Sequence, residues 1–420
     1  MKGLGMLAGQ ACALAMTVMI TTAAVAQEHS LTFEGQRFLM RGMEERQARG
    51  EEDGSGGHVP MSHARVCSAA MARGAASCHA HVVMDETGRP FATMGPAGYA
   101  PADLRTAYSV TENGTSSTIV AVVDALGYPN AESDLATYRA QFGLPACTTA
   151  NGCFKKVNQN GAQGNYPAAN TGWSQETALD LDMVSAICPD CSILLVEASS
   201  ATLGNLAASV NRAASMGAHV ISNSYGGAEA GTQNMEQLYN YAGIAVTVSS
   251  GDGGFGVEFP ASSQHVTAVG GTTLTRSAGT TRGFTETAWV GAGSGCSTVY
   301  PKPTWQKDTG CAKRTVADVS AVADPNTGVA VFGPSGRGNQ SAWLVFGGTS
   351  VAAPLIAGLY GLNDTAVSYG SDPYRHIANL HDVTSGSNGR CTVTYLCTAV
   401  VGYDGPTGLG TPNGIAAFGF

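Results

Sequence analysis

The chain has 420 residues, with 22 Lys or Arg and 31 Asp or Glu, which gives a formal net charge of −9. Only 13% of the residues are charged and 44% are apolar, so the composition excludes an intrinsically disordered chain, which needs high charge and low hydrophobicity. The lack of a basic excess excludes a dedicated nucleic-acid-binding protein. We expect one large or two smaller compact domains.

The N-terminus has the pattern of a secretory signal peptide over residues 1–26. Lys2 supplies a positive charge, an apolar stretch runs from Leu4 to Ile20, and Ala24-Val25-Ala26 is a cleavage site of the A-x-A type. A membrane anchor is the alternative, but Gly, Gln and Thr interrupt the stretch. No later segment offers about 20 uninterrupted apolar residues, so no membrane contact is expected after signal removal. Residues 27–95 begin with a charged, then Gly/Ser-rich stretch and are interpreted as a short propeptide or N-terminal extension.

Cysteine usage predicts export. Ten of the 11 cysteines follow the predicted signal, and they fall into near-neighbour pairs, which is typical of short disulfides formed in an oxidising compartment. The protein is therefore expected to be secreted, extracellular or periplasmic. The Cys-x-x-Cys spacing of one pair also fits a redox or zinc motif, although no second such pair completes a metal site. The five pairs are Cys67/Cys78, Cys147/Cys153, Cys188/Cys191, Cys296/Cys311 and Cys391/Cys397.

From residue 96 onward, short apolar strands alternate with helices. This order predicts an α/β fold with a doubly wound, mostly parallel sheet and helices on both faces. In such sheets, functional residues lie in the loops at the carboxyl ends of the strands. The predicted elements are a strand at 117–124, helices at 132–142 and 174–187, a strand at 193–197, a helix at 203–216, a strand at 219–224, a helix at 232–242, a strand at 244–249 and a helix at 350–362.

Ser350 is a candidate nucleophile. It follows two glycines and a threonine and opens the last predicted helix. Glycines permit a tight turn and close substrate approach, and the N-terminus of a helix favours developing negative charge. These surroundings suit a nucleophilic serine, but a serine that only caps the helix has the same pattern. The motif reads Gly347-Gly348-Thr349-Ser350-Val351-Ala352-Ala353-Pro354.

Three carboxyl groups are candidates for acid–base work. Glu176 and Asp180 are four residues apart on the predicted helix 174–187, so they share one face, where two like charges favour a shared proton. Asp252 follows the strand 244–249 in the segment Ser-Gly-Asp-Gly-Gly. The alternatives are a solvated helix face for the pair and a turn aspartate for Asp252.

A histidine base is poorly supported. A serine nucleophile usually takes its proton acceptor from histidine, but none of the nine histidines lies in a convincing motif. Five of them precede residue 96, and His219 begins a predicted strand. A Ser/His/Asp triad is therefore not favoured by the sequence.

Taken in order, these motifs resemble the sedolisin family, the serine-carboxyl peptidases with a subtilisin-like fold. The resemblance covers residues 96–420 and implies a peptidase domain that hydrolyses protein or peptide substrates, with a monomer expected. It implies that Ser350 attacks the peptide carbonyl, Glu176 is the general base, Asp180 orients Glu176, and Asp252 is a protonated donor to the oxyanion. Because carboxyl groups titrate near ~4, such a site suits low pH.

The resemblance leaves some positions open. Asp124 ends the first predicted strand, where a subtilisin carries its triad Asp, and without a histidine partner it is interpreted as structural or as a residue that supports the catalytic groups. The family usually has a much longer prodomain than residues 27–95 provide. Two other functions stay open: a His-dependent subtilisin-like protease, and a catalytically silent secreted binding protein on the same fold.

The family resemblance also implies one structural Ca²⁺ near the C-terminus. Oxygen-only ligation by carboxylates and backbone carbonyls suits this hard cation. A β-branched residue at position 400, where family members often have glycine, fits only if its φ is negative. Two capping or turn aspartates are the alternative. The matching ligands are the carboxylates of Asp382 and Asp404 and the carbonyls of Val383, Val400 and Gly402.

Overall fold

The computed structural model describes residues 61–70, 72–338, 340–363, 365 and 367–419. The predicted signal peptide at residues 1–26 lies outside the described residues. The helices are α1 (Pro101–Ala107), α2 (Ala131–Gln141), α3 (Thr171–Ile187), α4 (Leu203–Ser215), α5 (Thr349–Asn363) and α6 (Asp372–Arg375). The strands are β1 (His63–Arg65), β2 (Ser77–Cys78), β3 (His81–Val83), β4 (Ile119–Ala125), β5 (Phe154–Asn158), β6 (Ser192–Ala198), β7 (Val220–Asn223), β8 (Tyr225–Gly226), β9 (Ala245–Ser249), β10 (Thr267–Arg276), β11 (Phe284–Ala288), β12 (Gly295–Pro301), β13 (Lys313–Val316), β14 (Val319–Val322), β15 (Val329–Pro334), β16 (Ser341–Gly347), β17 (Leu380–His381) and β18 (Thr411–Pro412).

The central sheet has eight strands in the order β11-β10-β9-β7-β4-β6-β5, with β14 joined to β10. Every neighbouring pair runs parallel except β10 and β11. The predicted mostly parallel sheet is therefore confirmed. A second, antiparallel sheet has the order β1-β3-β16-β15, so β3, from the predicted N-terminal extension, pairs with the strand that leads to Ser350.

Side chains along β4 point alternately to the two faces of the central sheet, and helices cover both faces. Val120 and Val122 pack into the core with α3 and α5, whereas Ala121 and Val123 pack into the core with α4. A strand covered on both sides needs a continuous apolar run, and β4 has one. Each of its buried valines contributes about 1.5–3 kcal/mol of burial free energy.

Helix α3 carries the acidic pair through the protein interior. Asn170 caps it by accepting a hydrogen bond from the Trp173 amide at 3.1 Å, and every residue from Trp173 to Ile187 is buried. The carboxyl groups on this helix are therefore not on a solvated face. The alternative interpretation of the acidic pair is wrong.

The prediction of a helix at 232–242 is also wrong, since the structure has only a short 3-10 turn at Glu236–Tyr239. The amides of Met235, Leu238 and Asn240 each bond to the carbonyl three residues back, and not four. Tyr239 is fully buried, with its hydroxyl 3.2 Å from that of Tyr225, so tertiary contacts hold the turn. The other predicted elements form with small shifts at their ends.

All five predicted disulfides are present, and they close loops of 3 to 15 residues. Within the described ranges, no helix has the length and apolar character needed to cross a bilayer. The division between residues 27–95 and 96–420 stays a prediction.

Candidate active site

Ser350 is the second residue of α5, just after β16. Gly348 joins the two elements with φ +98°, and a Cβ on it would lie 2.0 Å from the His79 carbonyl oxygen, so the position requires glycine. Ser350 is fully buried, and its hydroxyl donates to the Ser224 carbonyl at 3.3 Å. Its placement in the first turn of a 15-residue helix puts it at the positive end of the helix dipole.

Glu176 and Asp180 lie on one face of α3 and are fully buried. Burial, then the charge of Asp180, raises the pKa of Glu176 well above its usual range, and the nearby Ser350 hydroxyl partly opposes this rise. Burial also raises the pKa of Asp180, whose Oδ1 accepts from the Ser224 hydroxyl at 2.8 Å. Among the described residues, neither carboxyl oxygen of Glu176 has a hydrogen-bond partner.

Asp252 reaches the same place from the end of β9. Its Oδ1 accepts from the amide and the hydroxyl of Thr349, each at 2.8 Å, which fixes the carboxyl group beside Ser350. Its Oδ2 is buried and has no hydrogen-bond partner in the described part of the chain. Burial raises the pKa of Asp252 to about 6, so the group is neutral in acid and has a hydroxyl to donate.

The structure thus brings the four predicted residues together from three elements far apart in sequence. Thr349 joins Asp252 to the Ser350 helix, and Ser224 joins Asp180 to the Ser350 hydroxyl. Their individual catalytic roles stay a prediction.

Asp124 belongs to the same acidic cluster as Glu176 and Asp180. Its charge raises the pKa of both Glu176 and Asp180. Burial, with a further contribution from Glu197, raises the pKa of Asp124 itself to about 7. Glu197 pairs with Lys156 at 2.8 Å. The signal in the sequence is that Asp124 and Glu197 each follow a buried apolar strand run, and their strands are neighbours in the sheet.

Two histidines of the predicted N-terminal extension also lie at the site, which sequence reasoning missed. The alternating run Cys78-His79-Ala80-His81-Val82 is a strand pattern that could have indicated this. The His79 ring lies 2.7 Å from the Ser249 hydroxyl and 3.1 Å from the Glu258 carboxylate. His81 lies 3.5 Å from Asp252 Oδ2, and burial lowers its pKa to about 3. Both rings therefore contact groups other than the Ser350 hydroxyl.

The buried carboxyl groups predict that the protein is more stable in acid than at neutral pH. Asp124, Glu176, Asp180 and Asp182 all have raised pKa values, chiefly through burial. Their stabilising contribution is complete below the unfolded value near ~4 and is lost as pH rises through the folded value, about 7 for Asp124. The melting temperature should fall by at least ~3 °C between pH 5 and pH 8, measured by calorimetry. Asp124→Asn should reduce that slope, and a flat or rising profile would contradict the prediction.

The five predicted calcium ligands lie in the C-terminal segment. Asp382 accepts from the Gly402 amide at 2.8 Å. Asp404 is fully buried, and its partners are the amides of Val400 and Thr407 and the Thr407 hydroxyl, all of them neutral. A buried carboxylate with neutral partners fits a bound cation. Val400 is not among the described residues with positive φ, so the β-branched side chain is accommodated there. No cluster of three or more His, Cys, Asp or Glu side chains suited to a metal occurs in the described ranges, and the predicted set has only two carboxylates.

Comparison with known proteins gives the chain its family. The model of the subtilase family matches residues 159–372. Kumamolisin from Bacillus sp. strain MN-32 is 30% identical over 372 residues, which is 77% of this chain and 63% of that protein. Sedolisin from Pseudomonas sp. strain 101 is 28% identical over 364 residues, 75% of this chain and 60% of that protein. The chain thus spans less than two thirds of these curated relatives.

A solved structure agrees with the sequence relatives. Pseudomonas sedolisin, a serine-carboxyl proteinase complexed with two molecules of pseudo-iodotyrostatin, has a TM-score of 0.63 to this chain at 26% identity. The alignment covers 76% of this chain and 96% of that one. The subtilisin-like fold expected from the motifs is therefore confirmed. The chain belongs to the subtilase family, and its ordered motifs together with these relatives assign it to the sedolisins.

Proposed function

We propose that this protein is a secreted, acid-acting serine-carboxyl endopeptidase. The observation that carries the proposal is the meeting of a helix-terminal serine with a buried carboxyl pair and a third carboxyl group, whose Oδ2 has no hydrogen-bond partner among the described residues. The relatives named above support a peptidase acting on proteins or peptides. The five disulfides support an oxidising compartment, extracellular or periplasmic.

The first half of the proposed reaction forms an acyl-enzyme. In the fraction of molecules in which Glu176 is ionised, Ser350 Oγ attacks the peptide carbonyl carbon while its proton passes to Glu176. The carbonyl oxygen becomes an oxyanion that accepts hydrogen bonds from the protonated Asp252 and from the Ser350 amide. Glu176 then gives its proton to the leaving nitrogen, and the C–N bond breaks.

The second half returns the enzyme to its starting state. A water molecule gives a proton to Glu176 and attacks the acyl carbon, and the same two donors hold the second oxyanion. The proton on Glu176 returns to Ser350 Oγ as the ester bond breaks and the acid product leaves. Asp180, held by the Ser224 hydroxyl, shares the proton of Glu176 and fixes its orientation.

Cleavage of denatured casein at about pH 4, near the carboxyl reference pKa, tests this proposal. The full chain should degrade casein over hours, and Ser350→Ala should not, with circular dichroism confirming that both are folded. Cleavage by neither protein would favour the catalytically silent binding protein. Equal cleavage by both would remove Ser350 as the nucleophile.

A structural Ca²⁺ held by Asp382, Asp404 and the carbonyls of Val383, Val400 and Gly402 is part of the proposal. Bound calcium would offset the buried charge of Asp404 and join two C-terminal loops. At 100-fold excess over Kd, such binding adds about 2.7 kcal/mol, so millimolar CaCl₂ should raise the melting temperature by about 3 °C over a chelator-treated sample. Asp404→Asn should lose most of this rise, and Asp103→Asn, on α1, should keep it. A melting temperature indifferent to calcium would contradict the site.

A further inference from the structure

We propose that the ion pair between Lys156 and Glu197 keeps Asp124 uncharged, so that the negative charge of the neighbouring carboxyl groups forms on Glu176. Glu197 is thus a positioning residue, which acts on the proposed general base through Asp124. The inference rests on the proposed function, because it takes Glu176 as the base that accepts the proton of Ser350.

Asp124 and Glu197 lie side by side in the central sheet. They are register partners on the parallel strands β4 and β6, and both are fully buried. Adjacent strands are about 4.8 Å apart, and register partners project from the same face of the sheet. Val122 and Leu195, two residues earlier on the same strands, pack into the core with α3, so the two carboxyl groups project to the face that α3 covers. Two like charges so close in the interior disfavour each other, so one of the two groups holds a proton.

The surroundings of Glu197 provide a counter-charge. Its Oε1 lies 2.8 Å from Lys156 Nζ and accepts from the Tyr128 amide at 2.7 Å. The Lys156 side chain is only 11% exposed, donates to the Tyr128 carbonyl and lies over the Tyr166 ring at 4.4 Å. Asn158, the register partner of Glu197 on β5, is uncharged. The cation is therefore held in one place, against Glu197.

The surroundings of Asp124 differ. In the described part of the chain, neither of its carboxyl oxygens has a hydrogen-bond partner. The nearby Thr177 hydroxyl donates instead to the Trp173 carbonyl at 2.8 Å. A cation and an amide favour the ionised form of a carboxyl group, and burial without such partners favours the neutral form. Of the two neighbours, Asp124 therefore holds the proton and Glu197 holds the charge.

The other titratable groups around Asp124 are Glu176 and Asp180 on α3 and Tyr225 on β8. Burial chiefly raises the pKa of each of them, and a charge on Asp124 raises it further. Burial, with a further contribution from Glu197, raises the pKa of Asp124 itself to about 7. The neighbouring elements β7 and α5 carry no charged residue. An ionised Asp124 thus opposes ionisation of Glu176, and a neutral Asp124 does not.

This competition for charge determines when the base can act. The first charge on the acidic cluster can lie on Asp124 or on Glu176, and only an ionised Glu176 can accept the Ser350 proton. Without the charge of Glu197, the pKa of Asp124 falls and the charge collects there, where it holds the proton on Glu176. In strong acid Asp124 is neutral with or without the ion pair, so the effect grows as the pH approaches about 7. The ion pair therefore extends the pH range in which Glu176 can act as the base.

The ratio of kcat/KM between Glu197→Gln and the parent chain, measured at two pH values, tests the inference. Glutamine keeps an acceptor oxygen for Lys156 and for the Tyr128 amide but has no charge. At about pH 3 the ratio should be near one, because Asp124 is neutral in both proteins. Near pH 7, close to the pKa of Asp124, the ratio should fall by about 5-fold. A ratio that is the same at both pH values would overturn the inference, because a purely structural loss acts at every pH.

Two further variants make the comparison specific. Asp124→Asn cannot ionise, so adding Glu197→Gln to it should give the same ratio at both pH values, and a persisting fall near pH 7 would contradict the inference. Glu286→Gln is the matched control. The Glu286 side chain is 1% exposed and pairs with Arg282 at 2.8 Å, but it lies on β11, at the opposite edge of the same sheet. Its ratio to the parent chain should not change with pH.

Infrared titration of the Ser350→Ala protein tests the charge on Asp124 without any catalysis. The protonated-carboxyl band that disappears in Asp124→Asn identifies this group. Adding Glu197→Gln should move the midpoint of that band down by about one pH unit. An unchanged midpoint would also overturn the inference. If the parent chain cleaves no peptide but the midpoint moves, the proposed function fails and the effect of Glu197 on Asp124 stands.

Discussion

Replacing Glu176 by glutamine should lower kcat/KM for a peptide substrate by about 10³–10⁴-fold. The amide has the shape of the carboxyl group but cannot accept the Ser350 proton, and it breaks the shared-proton pair with Asp180. Progress curves with an internally quenched peptide at about pH 4 measure the loss.

A stability measurement separates this loss from unfolding. Because burial and Asp180 disfavour the charged form of Glu176, the glutamine variant should melt no lower than the parent chain above pH 5. Glu132→Gln, on α2 with its carboxylate bonded to Thr149, is the matched control and should keep full activity. Full activity in Glu176→Gln would favour the His-dependent protease instead.

Substitutions of Asp252 should separate its donation to the oxyanion from its contact with Thr349. Asp252→Ala removes the donor to the oxyanion and should cost about 10²–10³-fold in kcat/KM at acid pH. Asp252→Asn keeps a neutral donor if its carbonyl oxygen takes the place of Oδ1 against Thr349, so it should retain far more activity.

The pH profile gives the sharper result. With the pKa of Asp252 at about 6, the parent chain should lose activity as pH rises through that value, because the ionised carboxylate repels the oxyanion. An asparagine does not titrate, so this step should disappear in Asp252→Asn while the dependence on Glu176 remains. A step at the same pH in both proteins would contradict the assignment, as would full activity of Asp252→Ala.

Periodicity and motif order predicted most of the fold. The apolar run of β4 and the capped, apolar α3 form as expected because they depend on local pattern and burial. The prediction of a helix at 232–242 was wrong because a buried tyrosine and turn hydrogen bonds determine the backbone there, and neither is visible in a local pattern.

The four candidate site residues could be predicted from the sequence because each lies in a short motif whose residue types and spacing are visible locally. Their environment could not, since it depends on parts of the chain that are distant in sequence. The position of Asp124 after an apolar strand places it at an edge of the sheet but not beside Glu176, because the two meet only when β4 packs against α3. His79 reaches Ser350 through strand pairings across more than half of the chain, so no spacing argument could have placed it.

The topology has a consequence for biosynthesis. Ser350 is translated long after Glu176 and Asp252, and chains fold from the N-terminus as they emerge. A partial chain that ends before residue 350 thus has the predicted acid groups but lacks the predicted nucleophile. When β16 finally arrives, it pairs with β3, and the same pairing brings the His79 carbonyl onto the Ser350 amide. The strand pairing that positions Ser350 therefore also places the His79 carbonyl against its amide.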